Sequence, residues 1–102
     1  MKNYEIDYSI AYDFVKEHFS KLSIIEDFKH QEKKGSYNPH THQITLYEKS
    51  SHTIFHELGH YLSIEILKIA GDIHKDYSKN EVIAELISYL LMTLFDENTN
   101  YN

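Results

Sequence analysis

The chain has 102 residues, 41% of them hydrophobic, which is room for one small domain with a modest core. Ten Lys and Arg against sixteen Asp and Glu leave a formal net charge of −6, and the scatter of both signs excludes a phosphate-binding surface, which needs clustered cations. Cysteine is absent, so disulfides, thiolate zinc knuckles and cysteine nucleophiles are excluded, and any metal must be held by His, Asp or Glu.

Along the chain, residues 4 to 20 place Ile6, Ile10, Phe14 and Val15 on one side at helical spacing, which predicts an amphipathic first helix. The opening MKNYEIDYSIAYDF carries Glu5, Asp7 and Asp13 and lacks the basic start and apolar run of a secretory signal, so the expected location is the cytoplasm. Between 24 and 47 the pattern turns β-prone. IIEDFKH is followed by the punctuation KKG, and GSYNPHTHQITLY reads as strand, Asn-Pro turn and a second strand alternating Ile44 and Leu46 with Thr45 and Tyr47. Two or three short antiparallel strands are expected. Ser50 or Ser51 can cap a helix running to about Lys68, Gly71-Asp72 marks a connection, and a last helix runs from near Ser78 to about Phe95. That gives a single α+β domain over 1–95 and a polar, frayed tail, DENTNYN, over 96–102. The most apolar stretch, 82 to 95, is interrupted by Glu85, Ser88 and Thr93, so it reads as a buried helix and no membrane span is expected.

The second helix carries HELGH at 56 to 60. Given eight histidines, chance alone would produce some H-E-x-x-H about once in seventeen such chains, so the motif needs support from its surroundings. Residues four apart lie above one another on a helix, so His56 and His60 can aim two imidazoles at one point. Phe55, Leu58, Leu62, Ile66 and Ile69 fall in a separate arc, so the histidines border the core instead of filling it. Gly59 leaves room for a neighbouring element, and Glu57 is placed to take a proton from a metal-held water and pass it to a leaving amine. The bland reading is a solvated His pair on an ordinary helix.

Catalytic zinc usually has three protein ligands. The metzincin pattern would need Gly at 63 and His at 66, where this chain has Ser63 and Ile66. Elsewhere, the last helix is apolar on most sides, so it should be covered on several of them, and beyond its first turn its ionisable groups are Glu81 and Glu85. A carboxylate on a buried helix must be paired or hold a cation, and zinc between it and the histidines would serve. Glu81 can instead close a capping box with Ser78, and Glu85, which cannot be a cap, can instead pair with a Lys or Tyr.

HELGH on one helix followed by N-E-x-x-x-E on the next resembles the gluzincins. In outline it is nearer to zincins of the ImmA/IrrE type and to the metallopeptidase-like domain of ArdC-type antirestriction proteins, where a strand like GSYNPHTHQITLY precedes the motif and a Tyr followed by E-x-x-A-E opens the last helix, as Tyr77 and Glu81 to Glu85 do here. The similarity spans roughly residues 35 to 95; Ile64 departs from it, replacing a further His that many of these chains carry. The resemblance implies a minimal zincin-like fold: an N-terminal helix, a small antiparallel sheet, the motif helix and a C-terminal helix bearing the third ligand. It further implies Zn2+ held by His56, His60 and Glu81, Glu57 as general base, and Glu85 as the acceptor that orients a ligand histidine, or as the alternative ligand. The strand Ile44 to Tyr47 would be the edge on which an extended peptide lies. Tyr61 and Tyr77 are candidates to stabilise an oxyanion by proximity alone.

The expected function is a zinc-dependent peptidase acting on a peptide or protein substrate, with no direct nucleic-acid or membrane partner. The alternative from another class is a non-catalytic binding or inhibitor protein of a mobile element or phage on the same scaffold. His40 and His42, beside the Asn-Pro turn, are expected to be exposed, and so is His52, which is four residues ahead of His56.

Overall fold

A computed structural model describes residues 6–29, 32–69 and 77–99. It is a small α+β domain of three helices and a three-stranded mixed sheet. The first helix, Tyr8–His18 (α1), starts at Asp7, whose carboxylate accepts from the Ser9 amide at 2.9 Å. Its buried side holds Ala11 and Val15 with Phe14 packed beside them, whereas Ile10, expected on the apolar side, is half exposed.

Three strands follow, Ser23–Glu26 (β1), Gly35–Asn38 (β2) and Gln43–Leu46 (β3). The expected all-antiparallel sheet is corrected here. β2 and β3 form an antiparallel hairpin with Asn38 opposite Gln43, but β1 runs parallel to β3, with Ser23 opposite Gln43 and Glu26 opposite Leu46. The order β1-β3-β2 puts β3 in the middle, so Ile44 to Tyr47 is not the sheet edge. The physical reason lies in the side chains. Ile44 and Leu46 are both fully buried, while β1 and β2 have no fully buried residue, and the most apolar alternation takes the position that a flanking strand protects on each side.

The helices Ser51–Ile69 (α2) and Tyr77–Thr99 (α3) complete the domain. α3 continues past Phe95 into the segment expected to fray, because no Gly or Pro stops it there. Residues 70–76, with the expected Gly71-Asp72 connection, lie outside the described part. The core gathers Val15, Leu22, Ile44, Leu46, Ile54, Phe55 and Leu58, so α2 seals one face of the sheet with α1 alongside. Among the described residues no helix is long and apolar enough to cross a membrane.

Candidate metal centre

Ser50 starts α2. Its hydroxyl accepts from the Thr53 amide at 3.3 Å and its carbonyl from Ile54 at 3.1 Å. Counting from that cap, Ile54, Phe55 and Leu58 turn fully buried into the core, and His56 and His60 turn toward α3.

Gly59 determines how near α3 can come. A Cβ at this position would stand 2.4 Å from the Ala84 carbonyl oxygen, so the helices touch backbone to backbone. Ala84 is three residues after Glu81 and one before Glu85, and that contact therefore presents both carboxylates to the histidines. Glu81 places Oε2 at 3.1 Å from His56 Nε2 and Oε1 at 2.9 Å from His60 Nε2. With each oxygen turned to one imidazole, Glu81 is the carboxylate between the two rings. Glu85 meets the opposite nitrogen of the first ring, its Oε2 lying 3.4 Å from His56 Nδ1.

One ligand atom from each of His56, His60 and Glu81 falls within 4.8 Å of the others. A tetrahedral zinc site with bonds near 2.0–2.1 Å separates its ligand atoms by roughly 3.3 Å, which is inside the 4.8 Å within which one donor atom of each residue lies. Two imidazoles and a carboxylate are also a donor set that zinc accepts, leaving one position open. Burial holds His60 below the ordinary histidine range, and His56 pushes the same way while Glu81 opposes, so the ring favours its neutral, ligating form. Glu85 is held below the usual carboxylate range, first by its hydrogen bond with His52.

Glu57 turns to the strand side. It is 6% exposed, and its Oε2 would lie 3.2 Å from a Cβ at Gly35, the first residue of β2. Burial, with the Glu81 charge adding to it, pushes its carboxyl up to about 7. Two adjoining clefts of about 410 and 540 Å3 meet at Lys34, Gly35, Glu57 and Glu81; His56 opens onto the first, and His60, with Tyr37 and the β2 edge, onto the second.

The sequence reading thus finds its five site residues in one place. It missed others. His52 is exposed as expected, but its Nε2 lies 2.7 Å from Glu85 Oε1; the available signal was its position one turn before His56. His42 is half buried, not exposed, and hydrogen-bonds through Nδ1 with the Tyr37 hydroxyl at 3.2 Å in a left-handed conformation, φ 54°. His40 is exposed as expected. Tyr61 is a core residue packed edge-on against Phe19, Tyr37 and His42, and the Tyr77 side chain lies outside the described part. No protein family, curated protein or solved structure matches the chain.

Proposed function

We propose that the chain is a zinc-dependent peptidase with a minimal zincin-like fold, acting on a peptide or protein substrate. The observation that supports it best is the convergence of His56, His60 and Glu81, with the buried Glu57 carboxylate in the same cleft. Zinc held by those three residues would supply Lewis acidity, acidifying a water and polarising the scissile carbonyl.

The chain's own residues do the rest. Glu57 takes a proton from the attacking water and returns it to the departing amine, a shuttle that a carboxylate with limited solvent access performs without losing the proton to bulk water. Glu85 accepts from His56 Nδ1, which fixes the tautomer whose Nε2 lone pair is free to ligate. β2, the outer strand among the described residues, takes the place of the expected β3 in offering main-chain groups to an extended substrate, and Gly35, Ser36 and Tyr37 bring it to the cleft.

The test is native mass spectrometry on protein purified without a histidine tag or added metal, paired with hydrolysis of a peptide library. One zinc per chain is expected, lost in His60→Ala. Glu57→Gln should keep the zinc and lose about 100-fold or more in hydrolysis. No metal in either protein, with a melting temperature indifferent to added zinc, defeats the reading. Full zinc occupancy with no hydrolysis of any peptide would transfer the site to the non-catalytic binding reading.

A further inference from the structure

α3 is apolar on two opposite sides, and the domain covers one of them. Ala84 and Ser88 are fully buried against the rest of the fold. At 100° per residue, Val82, Leu86, Tyr89, Leu90 and Leu94 share an arc about 140° wide that is centred nearly opposite that pair. All five are between 56% and 62% exposed. Between residues 82 and 94 the stripe contains no charged residue, in a chain where a quarter of the residues are charged; Lys79 and Glu97 fall on the same arc beyond its two ends.

We propose that this outer face of α3 is the interface of a homodimer, with the same stripe of a second copy as its occupant. Area argues for it. The five residues together expose roughly 550 Å2 per chain, so two copies face to face would bury at most about 1,100 Å2, close to the ~1,000 Å2 that a specific interface must clear. A two-fold interface must also be complementary to itself. An uncharged row of Leu, Val and Tyr meets that condition, whereas for a chain of net charge −6 any charged patch of one sign would repel its own copy.

The stripe also borders the candidate site. Tyr89 shares a groove of about 200 Å3 with His52, Glu85 and Met92. A second copy seated on Tyr89 therefore raises a wall beside the cleft, which a chain of this size does not build alone. The dimer itself does not depend on the zinc reading, because none of the five residues is a candidate ligand or proton carrier.

Sedimentation equilibrium on the full chain, with and without chelator, from about 1 to 100 µM tests the proposal. The expected mass is that of two chains, falling to one in Leu86→Glu/Leu90→Glu with helical circular dichroism and zinc content unchanged. Should that variant misfold, Leu86→Ala/Leu90→Ala, which adds no charge, is expected to weaken association at least about tenfold. A wild-type chain that stays monomeric throughout, including one that captures a different protein through this face, overturns the proposal. So does a dimer that both variants leave intact.

Discussion

On the inner face of α3, Glu81 and Glu85 meet imidazoles beside the fully buried Ala84 and Ser88, whereas on its outer face five large apolar residues stand in solvent. Depth alone does not explain either face. A carboxylate is stable on the packed side because a histidine or a cation faces it, and a run of leucines is stable on the open side once another surface covers it. The helix is best understood through what we propose each face binds: an ion on one side and a second chain on the other.

Three experiments sharpen that contrast, beginning with the inner face. Without metal, Glu57 keeps its proton in the folded chain up to about 7, while unfolding returns it to the ordinary value of 4.5. Below pH 4.5 both states are protonated and stability is unaffected by this group. Between 4.5 and 7 the unfolded chain binds fewer protons, so stability falls as pH rises, reaching a deficit of about 3 kcal/mol above 7. His60, held low, contributes the opposite slope below pH 6.5, so the Glu57 contribution is read in denaturant titrations of the chelator-treated chain as the difference from Glu57→Gln: the wild type should lose stability relative to the variant as pH rises from 4.5 to 7, and parallel profiles would refute the assignment.

Next comes the contact that holds the inner face in place. Gly59→Ala would drive its methyl into the Ala84 carbonyl and force α3 outward, at a cost of about 1–3 kcal/mol, less up to about 1 kcal/mol of improved helix propensity. Zinc affinity should fall with it, by calorimetry, although no ligand has been changed. Unchanged affinity would mean the helices do not set the spacing. The smallest effect belongs to the outer face. Leu90→Gln, measured at concentrations where the chain is monomeric, should move the unfolding free energy by no more than about 0.5 kcal/mol. A loss of several times that would show that the described domain itself covers this face.

Much of the inner face was legible in the sequence because it depends on helical periodicity. The four-residue spacing of His56 and His60, the small residue between them and the scarcity of ionisable groups on the last helix are all local patterns. They do not decide between Glu81 as cap and Glu81 beside the histidines. That depends on the distance between two helices, which neither segment carries alone. The sheet was less legible. Strands of four residues leave too little alternation to specify a partner, and the parallel pairing of β1 with β3 follows from where the chain crosses between β1 and β2. The outer face was misjudged for a related reason. An apolar pattern shows that a surface needs covering, and among the described residues the expected cover of α3 on several sides is not found.

The glycine at 59 has a consequence for selectivity among ions. The helices already touch through main-chain atoms, so the separation of the two helices that carry the candidate donors is gauged by backbone thickness. A calcium ion, which seeks six to eight oxygens at about 2.3–2.6 Å, would have to wedge two helices apart and would still find imidazoles where it wants carbonyls. At the proposed site, discrimination by size would thus reside in a missing methyl group, on a residue that supplies no ligand.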